Sequence, residues 1–214
     1  MRRVVYLLGV VAPVYFALGV FILGASSPGY SHIYQTISEL GERGSPTARE
    51  AAILFISTGI MVTVFGYGLH SALRRPSRRV WCGVLVMLYG LLDFIGSGLF
   101  PVGSGGRADT PASAVHVYAT VVGELAALAM PAWFTRDTEG QPQWEGHRGL
   151  SRNTFYAGIL LSGFLLYCIA GHTPGVADTP IGLAQRLLVG LFLGWITATA
   201  LRLLAREQAM GNNC

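Results

Sequence analysis

Six long apolar stretches, separated by polar segments, run along the chain. Each is about 18–23 residues long, and about 20 residues of α-helix cross the roughly 30 Å hydrocarbon core of a bilayer. The pattern therefore predicts an all-α protein, an integral membrane bundle of six transmembrane helices that forms a single domain over residues 1–214. The predicted helices cover residues 4–24, 50–72, 80–101, 114–134, 154–171 and 181–204.

The composition agrees with this pattern. Hydrophobic residues make up 52% of the chain and charged residues 12%, whereas a soluble domain typically has about 25% charged residues. The first apolar stretch follows Met1-Arg-Arg3, as the core of a signal peptide would. It is longer than such a core, however, and Pro28-Gly-Tyr30 is a poor cleavage site. We therefore interpret it as a spanning helix.

The arginines indicate how the bundle is oriented in the membrane. With the N-terminus in the cytoplasm, eleven of the 15 arginines lie on cytoplasmic segments, and the positive-inside rule favours that arrangement. We therefore predict that both termini are cytoplasmic and that the protein lies in the inner or plasma membrane. The turn Arg74–Arg79 is the strongest anchor, and residues 135–152 are predicted to form a solvated cytoplasmic loop. The net charge of +4 does not indicate nucleic-acid binding, because the arginines lie at helix ends and form no basic face.

The connector between the first two predicted helices is the most polar segment of the chain. It carries His32, Ser38, Glu39 and Glu42, although a connector between spanning helices needs only a few small residues. Loops of this kind often carry function. We therefore predict that this loop covers a polar cluster at the extracytoplasmic end of the bundle.

Two carboxylic acids, Asp93 and Glu124, lie inside predicted spanning helices. At the bilayer centre such a residue costs about 2.5–3.5 kcal/mol on insertion scales, so it indicates a functional site. Ser97 lies one turn from Asp93 on the same helix face. His116, Thr120 and Glu124 are spaced i, i+4 and i+8, which predicts a polar ridge about 12 Å long on the fourth helix.

Further polar residues flank the last two predicted helices. His172 ends the fifth, and Gln185 and Arg186 lie near the start of the sixth. The predicted topology brings nearly all of these residues to the extracytoplasmic half of the bundle. We therefore select Ser38, Glu39, Asp93, His116, Glu124 and His172 as candidate catalytic residues, and Gln185 and Arg186 as candidate substrate-binding residues.

A structural interpretation of the same residues stays open. Arg186 would then pair with Asp93 or Glu39 and lock two helices together. The two candidate histidines would hydrogen-bond backbone carbonyls at helix ends. Glu124 would be protonated and bonded to a neighbouring helix, as polar side chains in membrane bundles often are.

Several short motifs carry a further signal. They are Ile37-Ser-Glu-Leu-Gly41 followed by Gly44-Ser-Pro46, then Asp93, a helix end at Leu99-Phe-Pro101, His116, and the helix start Gly182-Leu-Ala-Gln-Arg186. Over essentially the whole chain, this pattern resembles a family of small bacterial and archaeal membrane proteins catalogued as domain of unknown function 998. The resemblance implies a six-helix architecture and brings no established activity.

The first functional hypothesis is an intramembrane enzyme that acts on a lipid-like or other apolar substrate. One version is a hydrolase in which histidines and an aspartate hold zinc, and the metal activates a bound water. His172, however, has no second histidine one turn away at position 168 or 176, so the pattern does not require zinc. The other version needs no metal: a protonated, buried Asp93 or Glu124 serves as a general acid in an isomerisation or cyclisation.

Two other functional classes remain open. In a small transporter, Asp93, Glu124 and Arg186 would relay protons or ions, and a homo-oligomer would enclose the pathway. A non-catalytic membrane assembly partner would instead dock through the loop of residues 30–42. The sequence does not decide among these three hypotheses.

Overall fold

The computed structural model describes residues 2–75, 79–173 and 176–211. Within those ranges it has six helices that are long and apolar enough to cross a membrane, which confirms the predicted all-α membrane fold. The orientation of the termini remains a prediction, and residues 76–78 of the predicted Arg74–Arg79 anchor lie outside the described residues. The helices are α1 (Arg2–Ser26), α2 (Ala48–Leu73), α3 (Cys82–Leu99), α4 (Pro111–Asp137), α5 (Glu145–Gly171) and α6 (Ile181–Gly211).

The segment between α4 and α5 differs from the expected solvated loop. Helix α5 begins at Glu145, nine residues before the predicted start at 154, and a short 3-10 turn precedes it at Pro142–Trp144. The side chains of Asp137, Trp144 and His147 are buried. The Asp137 carboxylate accepts the backbone N–H groups of Trp81 and Cys82, both at 2.8 Å. Asp137 therefore caps the start of α3, and with Asp137, Trp144 and His147 buried the interpretation of the segment as a solvated connector is wrong.

Glycines bring α2 and α3 into close contact. A Cβ atom added to Gly59 would lie 2.5 Å from the carbonyl oxygen of Gly90, and one added to Gly66 would lie 2.8 Å from the backbone nitrogen of Met87. Small residues permit such approach between helices in lipid, where van der Waals packing drives association. The pair α2–α3 therefore forms a rigid wall of the bundle.

Helix α3 is not a regular α-helix. Its middle, Tyr89–Ile95, is π-helical, with α-helical segments at Cys82–Leu88 and Gly96–Leu99 on either side. Such single widened turns inside α-helices are rare and occur frequently at functional sites. Asp93 lies within this turn and is buried. The irregular turn therefore coincides with the carboxylic acid that the sequence analysis selected on α3.

The π-helical turn packs against α4 at a glycine. A Cβ atom added to Gly123 would lie 2.7 Å from the Cβ of Asp93 and 2.8 Å from its backbone nitrogen. This contact places Glu124, the next residue along α4, beside the same turn. A larger residue at position 123 must push the two helices apart, because backbone atoms cannot rotate out of the way.

We therefore predict that Gly123→Ala lowers the stability of the protein by about 1–3 kcal/mol, the usual cost of overpacking a close contact. The measurement is the thermal unfolding of the purified protein in detergent. Gly163→Ala is the matched control, because an added Cβ there has no described atom within 4 Å and alanine favours the helix. Equal unfolding temperatures for Gly123→Ala and the wild type would contradict the predicted contact.

Candidate functional site

The site begins with the 3-10 turn Ile37–Gly41 in the loop between α1 and α2. Glu39 stabilises this turn with its own side chain. Its Oε1 accepts the backbone N–H of Thr36 at 2.7 Å and the Thr36 hydroxyl at 2.9 Å, and its Oε2 accepts the Gln35 side chain at 3.2 Å. The Glu39 carboxylate therefore caps this turn. These hydrogen bonds give a structural role to a residue that was predicted to be catalytic.

Side-chain and backbone hydrogen bonds attach this loop to the start of α6. The Gln185 Oε1 accepts the backbone N–H of Ile37 at 2.7 Å. The Leu183 N–H donates to the Ile33 carbonyl at 3.0 Å. These bonds fix the position of the intervening turn, so Ser38 is held at the end of the bundle between α4 and α6.

The start of α4 presents His116 to the same place. Thr110 is the N-cap of this helix, and its Oγ1 accepts the backbone N–H of Ser113 at 3.2 Å. Pro111 follows in the first helical turn, where its fixed φ suits a helix start. The Arg43 guanidinium donates to the Thr110 hydroxyl at 2.7 Å, which also ties the first loop to this helix.

Glu42 makes a second connection between the two loops. Its Oε2 accepts the backbone N–H of Gly105 at 2.6 Å. Burial raises the pKa of the Glu42 carboxyl above its usual value, and the N–H groups of Gly105 and Gly106 act in the opposite direction. The loop after α3 is therefore held over the 3-10 turn by a carboxyl that is itself partly withdrawn from water.

Ser38 and His116 form a hydrogen-bonded pair. The Ser38 hydroxyl lies 3.1 Å from Nε2 of His116, and Nδ1 of the same ring lies 2.7 Å from the Phe100 carbonyl oxygen. A carbonyl can only accept, so Nδ1 carries the proton and the neutral ring accepts through Nε2. Ser38 is then the donor. A serine whose hydroxyl donates to a histidine that a third group orients is the arrangement of an activated nucleophile.

This pair lies at one end of a cavity of about 480 Å³ between α4, α5 and α6. The rest of its lining is mostly apolar, and two of the apolar residues, Leu125 and Leu166, are 61% and 65% exposed on the outside of the bundle. The cavity therefore opens sideways, toward the lipid that surrounds a membrane bundle. The polar side chains that line it are Thr36, Ser38, Glu39, His116, Thr120, Glu124, Ser162, His172 and Gln185.

A smaller internal pocket adjoins the cavity. It has a volume of about 30 Å³ and shares Ser38, Thr120 and Gln185 with the larger cavity. Asp93 and Ser97 line its interior side. A polar pocket holds a water molecule when it offers about 10–15 Å³ and two or more polar partners. This pocket meets both conditions, so it has room for water directly beside the Ser38 hydroxyl.

The structure thus brings most of the selected residues together and separates two of them. Glu124 lies on the large cavity and follows Gly123, the residue of α4 that packs against Asp93. His172 lies on the large cavity, and its Nδ1 is within hydrogen-bond distance of the Asp178 carboxylate, at 3.2 Å. Asp93 lines the small pocket only, and Arg186 lines neither space.

Arg186 has none of the ion-pair partners that the structural interpretation gave it. Its guanidinium donates to the Gln35 carbonyl at 2.8 Å, to the Gly182 carbonyl at 2.9 Å and to the Tyr30 hydroxyl. Burial raises the pKa of Tyr30 to about 12, against the opposing effect of the Arg186 charge. The expected pairing with Asp93 or Glu39 is therefore replaced by contacts with neutral groups.

Three participants in this site had no clear signal in the sequence. The Phe100 carbonyl is a backbone atom, so only a three-dimensional structure shows that it meets a histidine 16 residues later. Tyr30 and Ser162 are ordinary interfacial and helical residues by type. The i, i+4, i+8 ridge on α4 was the one pattern that linked several cavity residues in advance.

The described ranges contain no group of three or more His, Cys, Asp or Glu side chains arranged to hold a metal ion. His116 uses both ring nitrogens in hydrogen bonds, and His172 is engaged with Asp178. The side chains that line the cavity therefore do not fit the zinc site of the first hypothesis. The chemistry that they do fit is that of the Ser38–His116 pair.

We predict that His116 is neutral in the folded protein, with its proton on Nδ1, because a buried charge without a counter-ion is costly and the Phe100 carbonyl requires a donor at Nδ1. The imidazole ¹⁵N shifts of a histidine-labelled sample in lipid distinguish the two tautomers, and His116→Gln assigns the signal. The His147 signal serves as an internal reference. A His116 ring with its proton on Nε2 would contradict the direction of the Ser38 hydrogen bond.

The family model described as "Protein of unknown function (DUF998)" matches residues 10–202. The match covers most of the chain, so the chain belongs to this family, as the motifs of residues 37–46 and 182–186 indicated. No curated protein matches the chain, and no solved structure matches it. The comparisons thus show the family, the helices show a multi-pass membrane protein, and the chemistry is left to the site.

Proposed function

We propose that this member of the DUF998 family is an intramembrane enzyme that hydrolyses the ester or amide bond of a lipid-like acyl substrate. Ser38 is the nucleophile and His116 the general base. The observation that carries the proposal is the hydrogen bond between these two side chains at the polar end of a cavity open to lipid. With the predicted orientation, this cavity opens to the extracytoplasmic leaflet.

The reaction follows from the roles of these two side chains. The Ser38 oxygen attacks the acyl carbon, and His116 Nε2 takes the hydroxyl proton. The alcohol or amine of the substrate leaves with that proton, and the acyl group stays on Ser38. A water molecule then attacks the acyl carbon, its proton passes through His116 to the Ser38 oxygen, and the carboxylic acid leaves. The Phe100 carbonyl holds the imidazole in the tautomer that both steps need.

Two neighbouring groups support these steps. The Gln185 Oε1 is occupied by the N–H of Ile37, so its amide N–H₂ is the part that serves as a donor. An amide donor stabilises the oxyanion that forms when serine attacks an acyl carbon. The pocket beside Asp93 and Ser97 supplies a place for the attacking water, adjacent to Ser38.

The shape of the cavity supports a lipid-like substrate. Polar groups lie at the end near the loops, and the lateral opening is lined by apolar side chains such as Val121, Leu125 and Leu166. A molecule with a polar group and one or two acyl chains matches this arrangement, with its polar group near the loops and its chains in the lateral opening. It reaches the site from the bilayer without passing through water.

A second candidate function is acid catalysis by Glu124 on an apolar substrate. It is favoured by one observation: Oε2 of Glu124 is buried and has no hydrogen-bond partner within the described part of the chain. A protonated carboxyl of this kind would protonate a double bond in an isomerisation or cyclisation. In this reading Ser38 and His116 only bind the polar end of the substrate.

We predict that an alkyl fluorophosphonate labels Ser38, because an activated serine oxygen bonds to phosphorus and displaces fluoride. Labelling of the protein in liposomes is followed by gel fluorescence, and the site is located by peptide mass spectrometry. Ser38→Ala abolishes the label. His116→Gln slows labelling by about 10²–10⁴-fold, the usual contribution of a general base.

Ser162→Ala is the matched control, because Ser162 lines the same cavity and has no part in the mechanism. It keeps the wild-type labelling rate, and the thermal unfolding of each variant shows that it is folded. A folded wild type that is not labelled at Ser38, or one labelled equally fast in His116→Gln, would overturn the nucleophilic mechanism. If the wild type is not labelled at Ser38 and Glu124→Gln no longer converts an apolar substrate that the wild type converts, the acid-catalysed reaction would be favoured.

A further inference from the structure

A second large cavity lies on the opposite side of α6, between α6 and α1. Its volume is about 450 Å³. Its walls are almost wholly apolar, and include Phe16, Val20, Val189 and Leu193. Phe21, at its edge, is 65% exposed on the outside of the bundle. Like the first cavity it therefore faces the bilayer. It shares no lining residue with the large cavity that contains Ser38, whereas Phe16, Ile37 and Val189 also line the small pocket beside Ser38.

The length of this cavity matches one leaflet. Along α6 its lining runs from Arg186 to Thr197, which corresponds to about 16 Å at 1.5 Å per residue. One leaflet contributes about half of the roughly 30 Å hydrocarbon core. Gly190 and Gly194 form the floor on α6, and an added Cβ at either position has no described atom within 4 Å. The glycines therefore leave a groove in which an acyl chain lies alongside the helix.

The polar end of the groove carries an uncompensated positive charge. Arg186 donates only to two backbone carbonyls and a phenol, and its Nε is buried without a hydrogen-bond partner among the described residues. Among the residues that the structure describes, no carboxylate lines the groove. A guanidinium withdrawn from water without a counter-ion is unfavourable, and it gains most from an anion with several oxygen atoms, such as phosphate.

His32 completes this polar end. Its ring packs against Gly24 of α1, stacks on Phe21 at a centroid distance of 6.1 Å and lies edge-on to Tyr30. Burial and the charge of Arg186 both lower the pKa of His32. The ring is therefore neutral near pH 7 and offers an N–H donor beside the guanidinium.

We propose that this groove binds one anionic phospholipid, with its phosphate group beside Arg186 and His32 and an acyl chain along Gly190 and Gly194. The charge selects the headgroup, and the length of the groove selects a chain that lies within one leaflet. The Gln35 carbonyl that binds Arg186 belongs to the loop that positions Ser38. A lipid bound here therefore stabilises that loop from the side opposite to the Ser38 cavity.

The test uses the full-length protein, purified in a neutral detergent and stripped of lipid. Native mass spectrometry counts the lipids bound during titration with dioleoylphosphatidylglycerol or with dioleoylphosphatidylcholine, which have the same chains and differ in net charge. We expect one tightly bound molecule of the anionic lipid and a preference for it of about tenfold, because the choline cation of phosphatidylcholine lies beside the same phosphate and repels the Arg186 guanidinium. The bound anionic lipid also raises the unfolding temperature.

Two variants separate the site from a general affinity for anionic lipid. Gly194→Leu places a side chain in the groove at a position where an added Cβ meets no described atom within 4 Å, so we expect it to fold and to lose the tightly bound lipid. Gly163→Leu makes the same change at an open position on α5 and keeps it. Arg186→Gln is expected to lose the preference for the anionic headgroup. If Arg186→Gln does not fold, Gly194→Leu still tests the lipid site.

Three results would overturn the proposal. They are equal affinity for the two phospholipids, unchanged binding in folded Gly194→Leu, and equally tight binding of free oleate, which would make a fatty acid the occupant. Fluorophosphonate labelling reports on the reactivity of Ser38, whereas native mass spectrometry reports on lipid bound in the groove. The lipid site and the catalytic proposal can therefore fail separately.

Discussion

The hydrogen bond between the Ile37 N–H and the Gln185 side chain joins residues 148 positions apart in the sequence. It attaches the loop after α1 to the start of α6, and through that loop it closes one end of the bundle. Ser38 is the next residue, so this bond determines where its hydroxyl lies. The cap that Glu39 forms on the same turn prevents the loop from adopting another path. The site depends on these two constraints more than on any single catalytic group.

Helix α6 borders a different cavity on each of two sides. Gln185 faces the cavity that contains Ser38 and His116, whereas Arg186, the next residue, faces the groove along α1. Successive residues of an α-helix point about 100° apart, since 3.6 residues complete a turn. Two lipid-facing spaces with opposite chemical character thus lie on one helix. One has a neutral nucleophile and carboxylic acids, and the other has a lone guanidinium.

The sequence predicts the helices well because their signal is local. Each span is a continuous apolar run whose length must match the bilayer, and the six helices follow directly. The segment before α5 was predicted wrongly because polar residues such as Asp137 and His147 look solvated in sequence. In the structure Asp137 caps α3 and His147 donates to or accepts from Thr199 at 2.9 Å. When a helix distant in the sequence buries a polar side chain, the residues next to that side chain in the sequence show no pattern that predicts it.

The sequence was enough to predict which residues belong to the candidate site, but not which of them contact one another. Polar residues inside apolar helices are costly, which is why Asp93, His116 and Glu124 were selected as candidate catalytic residues. All three line the large cavity or the small pocket, and their catalytic roles stay predictions. Their partners depend on loops whose paths hydrophobicity does not determine. The Phe100 carbonyl, the separation of Arg186 from Asp93 and the π-helical turn at Tyr89–Ile95 all belong to this second class.

The most direct test of the central claim is to detect the acyl-enzyme itself. The purified protein is incubated in vesicles of a defined diacyl phospholipid, quenched in acid and analysed by intact-protein and peptide mass spectrometry. We expect the protein to gain the mass of one acyl group, located on Ser38 and absent from Ser38→Ala. Vesicles with shorter or longer chains shift that mass accordingly. A folded, reconstituted protein that carries no acyl group on Ser38 with any acyl lipid offered would contradict the central claim.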